Sequence, residues 1–349
     1  MAMSERPAGR DRQRNSNRPR APRRYGGPRR VVLEEKHHHE ILKMQRHAEH
    51  RFDVRPYPMG IPEDLESPRT FHLRWEVHPV PLATEEKVAS WVVQRGEYGW
   101  LTDKRVEEIS QRVLQESMTL DQALSLRSAL LQQKTVYSHH ALKAQGPVLA
   151  RKYKNGASVL ELSVEHDFSP MNLFRTVLES LGWSKNKIKD SLRNPSSMKW
   201  RERQEFETAE AADRVASVDQ SETQVKADLF EDILADWFIS QGIRLRRQPE
   251  MVNEQYSELG RPVKTPDILF LDYVYINNQP VAWIDAKHFY GADVDFQRKK
   301  MKKQMGRYIE EWGSGAIMFR HGYCENLFLP GVLMLDSSPI DLSRLQADE

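Results

Sequence analysis

Residues 265–287 decide the fold, and they read TPDILFLDYVYINNQPVAWIDAK. Two apolar runs rich in β-branched and aromatic residues, 268–276 and 281–284, flank the sequence Asn-Asn-Gln-Pro at 277–280. Runs of this composition form strands, and a short polar turn between them lets the two strands pair with each other. The sequence therefore predicts a β-hairpin in this part of the chain.

Charged side chains stand at the ends of both predicted strands. Side chains alternate between the faces of a strand, so Asp285 and Lys287 should project to the same side, and the hairpin can bring Asp267 beside them. Two carboxylates suit Mg²⁺, or Mn²⁺ in its place, which would activate a water molecule for phosphodiester hydrolysis, while Lys287 would orient that water or offset phosphate charge. The acid-x-Lys spacing occurs twice more in the chain. Solvated charges at the ends of a hairpin are therefore the alternative interpretation.

An apolar stripe at helical spacing predicts a helix over residues 225–241. At about 100° per residue, Glu231 falls at the margin of this stripe, whereas three aspartates of the same helix lie further towards its polar side. Glu231 is therefore the acid of this helix best placed to face inward. The alternative is an ordinary surface acid next to an apolar face.

Residues 296–312 predict a second amphipathic helix, on which Gln304 and Tyr308 lie one turn apart at the apolar side. The rest of this helix is covered by cations, namely Arg298, Lys299, Lys300, Lys302, Lys303 and Arg307. A basic helix beside a nuclease centre suits binding to a phosphate backbone. The alternative is that Tyr308 belongs to the core and that the charges form a solvated surface.

The start of the chain differs from the rest in composition. Residues 1–30 contain ten Arg and two acids, so they carry a charge of +8 and the remaining residues carry −6. This segment is almost devoid of large apolar residues, which predicts a disordered tail that binds nucleic acid nonspecifically or serves as a nuclear address. The single cysteine and the absence of an apolar run of 18 residues favour an intracellular protein that does not span a membrane.

At 349 residues the chain has room for about two domains and tails. After the tail, composition and apolar periodicity predict a helix and Pro-rich linker at 31–83, a helical domain at 84–199, an acidic linker or helix at 200–225 and an α/β domain at 226–340. Besides the hairpin, this last domain should contain strands at 243–251, 315–320 and 331–335.

The clearest helical unit spans residues 157–182. A capping box opens a first short helix, and Ser169 with Pro170 begins a second helix that Gly182 ends. Helix, turn and capped helix form the outline of a helix-turn-helix, in which Arg175 would lie on the recognition helix and reach nucleic acid. A plain helical hairpin that packs, or that binds a protein, is the alternative.

Residues from about 100 to 336 resemble a nuclease family. They resemble the PD-(D/E)xK nuclease superfamily and, within it, the codanin-interacting nuclease, or TPD-motif, family. The motifs that carry the resemblance are Thr265-Pro266-Asp267, Asp285-x-Lys287, Lys287-x-x-Tyr290-Gly291 and Gln304-x-x-x-Tyr308. The resemblance implies an α/β fold, in which a restriction-endonuclease-like core of a mixed sheet flanked by helices follows an all-helical helix-turn-helix domain.

The resemblance also implies a function. It makes Glu231 a third metal ligand beside Asp267 and Asp285, and it assigns Gln304 and Tyr308 to positioning the nucleic acid. The expected protein is a Mg²⁺-dependent nuclease of structured DNA, found in the nucleus, with the cytoplasm as a second location, and with a codanin-like protein as partner. The alternative function is a non-catalytic nuclear adaptor that binds nucleic acid or such a partner through the nuclease fold.

Overall fold

The computed structural model describes residues 45–49, 58–216 and 221–346. The predicted Arg-rich tail and most of residues 31–57 lie outside these ranges. In the part of the chain that is described, helices and one β-sheet form an α/β fold. No helix within these ranges is long and apolar enough to cross a membrane.

The strands, in chain order, are β1 Thr70–Leu73, β2 Leu245–Arg247, β3 Ile268–Ile276, β4 Gln279–Lys287, β5 Gly315–Phe319 and β6 Val332–Asp336. The helices are α1 Leu82–Ala89, α2 Asp103–Val113, α3 Leu120–Ala144, α4 Gly146–Lys154, α5 Val159–His166, α6 Pro170–Ser180, α7 Lys185–Arg193, α8 Trp200–Ala211, α9 Ser221–Ser240, α10 Gln248–Leu259, α11 Asp295–Trp312 and α12 Ser343–Gln346. A short 3₁₀ helix, Pro195–Ser197, follows α7.

The six strands of the described residues form one mixed sheet in the order β1-β3-β4-β5-β6, and β2 pairs with the start of β3. β3 and β4 are antiparallel, whereas β1 runs parallel to β3, and β4, β5 and β6 run parallel to one another. The prediction of a mixed sheet flanked by helices is therefore confirmed. The long connection from β4 to β5 contains α11, as a parallel crossover requires.

The predicted hairpin is confirmed as β3 and β4. Its turn consists of Asn277 and Asn278, whose φ angles are 51° and 64°. Two consecutive positive φ angles give a two-residue turn whose twist matches that of the flanking strands, and Asn tolerates this conformation better than most residues. The hairpin continues to Lys287, so both charged residues of the second predicted strand lie within β4.

Two predictions about the strands were wrong. A strand was expected at 243–251, but only Leu245–Arg247 is extended, because Pro249 lies in the first turn of α10, where its missing N–H is tolerated. Thr70–Leu73 was expected to belong to an irregular linker, yet it forms β1 beside β3. No proline interrupts this segment, so it is free to pair with the sheet.

Helices cover both faces of the sheet. On one face Phe238 of α9 packs against the hairpin residue Phe270, with ring centroids 4.9 Å apart. On the other face Tyr308 of α11 packs against Trp283, with ring centroids 5.2 Å apart, and α1, α2 and α3 join the same apolar cluster. The first three helices were predicted to belong to a separate helical domain, but they pack against the half of the molecule that contains the sheet.

The remaining helices, α4 to α8, form a third apolar cluster with the C-terminal end of α3. The predicted caps are present, since Ser158 and Glu161 form a capping box and the Ser169 hydroxyl accepts a hydrogen bond from the backbone N–H of Asn172. Gly182, with φ of 90°, follows the end of α6. Because α6 packs against α3, α4, α5, α7 and α8, it is the central helix of this cluster.

Candidate active site

The pairing of β3 with β4 places Asp267 beside the end of β4. Ile268 lies opposite Ile284, so the residue before it reaches the backbone of Ala286. Asp267 Oδ2 accepts a hydrogen bond from the Ala286 amide at 2.6 Å, and its Oδ1 accepts one from Gln248 Nε2 at 2.9 Å. The Asp267 side chain is buried. The hairpin therefore brings the first acid of the motif to the second strand, as its sequence predicted.

Asp285 and Lys287 project to the same side of β4 and form an ion pair. Asp285 Oδ1 also accepts a hydrogen bond from Gln304 Nε2 at 2.8 Å. Gln304 Nε2 lies 3.4 Å from the Tyr308 hydroxyl, which donates to the Thr265 carbonyl at 3.2 Å. Gln304 is therefore joined directly to Asp285, and Tyr308 is linked to this acid through Gln304.

The acids of this site interact electrostatically. Burial raises the pKa of Asp267 well above its ordinary value, and repulsion from Asp285 and Glu231 adds to the rise. Burial, with repulsion from Asp228 and Asp285, raises the pKa of Glu231 to about 7. Burial opposes the charged form of Lys287, but attraction to Asp285 and Asp267 outweighs it and raises its pKa. Glu231 is half-buried on α9, and its part in the site stays a prediction.

Asp267 and Asp285 have the donor chemistry that Mg²⁺ or Mn²⁺ requires. Three acids, counting Glu231, share the site with one lysine, so a divalent cation would reduce their mutual repulsion. Within the described residues, no three Asp, Glu, His or Cys side chains come together as a complete metal-binding group. Mg²⁺ is commonly held by one or two carboxylates with water and phosphate in its other positions, so the two aspartates fit such an ion.

A cavity of about 540 Å³ lies between α3 and α11 and reaches the site. We call it the cleft. Its polar lining includes Ser125, Gln132, Arg214, Lys287, Lys300 and Gln304. Lys287 and Gln304 both bond to Asp285, so the cleft leads from the surface to the paired acids. The helical half of the molecule supplies one wall of it through α3 and Arg214.

The other residues predicted to bind nucleic acid lie apart from the acids. Lys299, Lys303 and Arg307 are exposed on α11. Their exposure is compatible both with binding to a phosphate backbone and with an ordinary solvated surface. Arg175 is half-buried, and its guanidinium donates to Asn172 Oδ1 at 3.2 Å and to the Ala216 carbonyl at 3.4 Å. Arg175 therefore braces the segment after α8, in contrast to the exposed recognition helix that the sequence suggested.

Sequence reasoning missed two residues near the site. Gln248 donates to Asp267 and also to the Thr265 carbonyl, at 3.2 Å. Its position depends on the pairing of β2 with β3, which no local motif indicates. Arg214 lines the cleft but lies in a segment predicted as an acidic linker. Only the three-dimensional structure, in which the Arg214 amide donates to the Tyr98 carbonyl at 2.8 Å, shows where this residue lies.

Comparison with known proteins supports the TPD-motif assignment for part of the chain. Residues 199–338 match the family model described as "Protein of unknown function TPD sequence-motif". An uncharacterized protein of Acanthamoeba polyphaga mimivirus is 28% identical over 115 residues, which cover 32% of this chain and 40% of the viral protein. The chain thus aligns with less than half of that relative. No solved structure gives a significant match.

Proposed function

We propose that this protein is a metal-dependent nuclease that hydrolyses phosphodiester bonds in structured DNA. The observation that carries the proposal is the meeting of Asp267, Asp285 and Lys287 with Gln304 at the inner end of the cleft. A buried acid with a raised pKa, such as Asp267, placed beside a cation at a cleft is typical of functional sites. The matched family is itself of unknown function, so it supports only the TPD-motif assignment. The proposed activity rests on the geometry of the site.

Each residue of the site has its own role in the proposed hydrolysis. Asp267 and Asp285 would hold Mg²⁺ or Mn²⁺, and Glu231 adds negative charge nearby. When bound, the metal polarises a phosphoryl oxygen and lowers the pKa of its water. Gln304 fixes the orientation of Asp285 by its hydrogen bond, as residues behind metal ligands commonly do. Lys287 balances the charge of Asp285 and can offset negative charge that develops on the phosphate.

The cleft suits a polyanion. Arg214 and Lys300 stand along it on the way to Lys287, and exposed cations of α11 extend the positive surface. Cations in such a row bind a phosphate backbone independently of its base sequence. Two further proposals rest on the family resemblance alone, namely a nuclear location and the binding of a codanin-like protein.

A non-catalytic adaptor is the second candidate. It is favoured by the finding that no three ligand side chains converge within the described residues, and that Asp285 is already paired with Lys287. In this alternative the ion pair would be structural, and the cleft would bind nucleic acid without cutting it. Metal binding separates the two candidates.

The test is calorimetric titration of Mg²⁺ and Mn²⁺ into metal-free protein. We expect the wild type to bind both ions and Asp285→Asn to lose the binding. Asp121→Asn serves as the matched control, because Asp121 is an exposed acid in the same cleft and touches none of the site acids. Absence of metal binding by the wild type, with DNA binding retained, would favour the adaptor.

A further inference from the structure

An exposed tryptophan lies beside the cleft. Trp100 is 71% exposed, although a tryptophan stabilises a fold mainly through burial. The guanidinium carbon of Arg214 lies 4.0 Å from the centre of its ring, and Arg214 lines the cleft. One face of Trp100 is therefore covered by a cation of the cleft wall, while most of the side chain faces solvent.

The backbone holds Arg214 in this position. The Arg214 amide donates to the Tyr98 carbonyl at 2.8 Å, which ties the segment after α8 to the loop that carries Trp100. Asp213 is fully buried, and its carboxylate accepts hydrogen bonds from the amides of Met171 at 2.9 Å and Val215 at 2.8 Å. The segment is thereby anchored to the start of α6. This anchoring fixes the position of the Arg214 backbone near the Trp100 ring.

The loop that carries Trp100 is held equally closely. A Cβ atom at Gly99 would lie 3.0 Å from the Ala212 carbonyl oxygen, which is closer than an ordinary van der Waals distance. Glycine therefore permits the two backbones to approach at this point. The Tyr98 ring next to it is buried, and its hydroxyl lies against Asp167. The segments that carry Trp100 and Arg214 are therefore both held in position by the surrounding structure.

The chemistry of this pair matches a nucleobase. Aromatic rings and guanidinium planes stack on bases, and such stacking tolerates any base because each has a π face. A base within a duplex is already stacked and paired, so it is not free to stack on a protein ring. The cations Arg214 and Lys300 in the cleft would at the same time bind the phosphates of the strand.

We propose that Trp100 and Arg214 form a stacking platform for an unpaired nucleobase, so that DNA enters the cleft as a single-stranded segment leading to Asp267 and Asp285. This inference rests on the proposed nuclease function and specifies its substrate class. It selects flaps and other branched DNA with unpaired nucleotides over uninterrupted duplex.

The chain offers a matched control for this platform. Trp200, at the start of α8, is 66% exposed, does not line the cleft and has no cation stacked on its ring within the described residues. Both tryptophans are exposed, so replacing either one should leave the fold intact, which thermal melting checks. Trp100→Phe keeps an aromatic face and serves as the conservative variant.

The experiment measures fluorescence anisotropy of labelled DNA with the full chain in EDTA, where binding occurs without cleavage. The probes are a duplex with a single-stranded flap and a blunt duplex of the same sequence. We expect Trp100→Ala to weaken flap binding at least about fivefold, since stacking of a base is worth about 1–3 kcal/mol. Trp100→Phe should retain most of the affinity, Trp200→Ala should match the wild type, and blunt duplex should bind all variants alike.

A double-mutant cycle assigns the effect to stacking. Abasic sites placed in turn along the flap should reveal a position where loss of the base weakens wild-type binding but not Trp100→Ala binding, because the two partners are coupled. Equal flap affinity of Trp100→Ala and Trp200→Ala would overturn the platform, and so would additive effects at every abasic position. Trp100-dependent binding by a protein that cuts no substrate would refute only the nuclease, whereas cutting with unchanged Trp100→Ala affinity would refute only the platform.

Discussion

At the scale of single residues, the site holds like charges close together. Asp267 and Glu231 both have raised pKa values, because burial and neighbouring acids disfavour their ionised forms. One lysine cannot balance three acids, and a fold that served stability alone would not keep this excess of negative charge together. Repulsion among these acids should therefore lower the free energy of unfolding of the metal-free protein. This effect can be measured without any substrate.

The first prediction concerns the pH dependence of stability in EDTA. The pKa of Glu231 rises from 4.5 in the unfolded chain to about 7 in the folded protein, so between these values the folded state binds more protons. Its contribution to the free energy of unfolding therefore falls as the pH rises from about 4.5 to about 7. Glu231→Gln removes this contribution.

Urea denaturation of the two proteins at pH 5 and pH 8 measures the effect. The difference between them isolates Glu231 from the other acids that titrate in this range. We expect Glu231→Gln to be more stable than the wild type at the higher pH and to lose less stability between the two values. If the free energy of unfolding changed with pH equally in the two proteins, the pKa of Glu231 would not be raised by folding.

At the scale of secondary-structure elements, the β3–β4 hairpin carries both aspartates, so its turn sets their alignment. Asn277 and Asn278 share the left-handed conformation, but only Asn277 has side-chain hydrogen bonds to the backbone of Trp75, at 2.9 Å and 2.7 Å. The turn is thereby fastened to the segment that follows β1. The two asparagines form a natural matched pair.

The second prediction compares Asn277→Ala with Asn278→Ala. Both variants lose the tolerance of Asn for positive φ, which costs about 1–2 kcal/mol. Asn277→Ala also loses two hydrogen bonds, each worth about 1 kcal/mol, so its free energy of unfolding should be lower by about 2 kcal/mol more. Chemical denaturation measures the difference, and equal stabilities would show that the bonds to Trp75 contribute nothing.

The third prediction compares Gly315 of β5 with Gly306 of α11. A Cβ atom at Gly315 would lie 2.1 Å from the buried Trp283 ring, whereas one at Gly306, within α11, meets nothing within 4 Å. Gly315→Ala should destabilise the protein by at least about 1–3 kcal/mol through overpacking. Gly306→Ala should stabilise it by about 0.5–1 kcal/mol, because alanine favours the helix. Thermal unfolding that shifts in the same direction for both would contradict either the close approach of Gly315 to Trp283 or the open surroundings of Gly306.

The hairpin and its charged ends follow from local signals. Residues 265–287 combine alternating strand pattern and turn chemistry within one short segment, so both the element and the shared side of Asp285 and Lys287 are predictable. Gln248 and β1 were missed because their positions depend on pairing with β3, across long separations in sequence. Arg175 was misplaced because a capped helix looks the same in sequence whether its surroundings are solvent or other helices.

At the scale of the whole molecule, the helical half packs against the half that contains the sheet. The first three helices share an apolar cluster with α11, and α3 supplies the wall of the cleft that faces α11. The site would otherwise open directly to solvent. This arrangement accounts for a cleft that combines Lys287 of the hairpin with side chains from residues 121–132 and 214–215.

The fourth prediction concerns the positive surface beside the cleft. One variant changes three exposed cations of α11 to Gln: Lys299, Lys303 and Arg307. Its control changes three exposed cations of α7, away from the cleft, to Gln: Lys185, Lys189 and Arg193. The α11 variant should bind DNA more weakly and with a smaller salt dependence, by about 0.9 in the slope of log K against log salt for each phosphate that the protein no longer neutralises. An equal effect of the α7 control would reject a specific role for α11.

The measurement that tests the central claim most directly is cleavage of labelled single-stranded, duplex, flap and four-way-junction DNA, with Mg²⁺ or Mn²⁺ and with EDTA. We predict metal-dependent cleavage by the wild type, and loss on the order of 100-fold or more in Asp285→Asn, since a bound metal contributes several kcal/mol to transition-state stabilisation. Asp121→Asn should cleave like the wild type. Equal cleavage by Asp285→Asn, or no metal-dependent cleavage of any substrate by folded wild-type protein, would contradict the nuclease assignment.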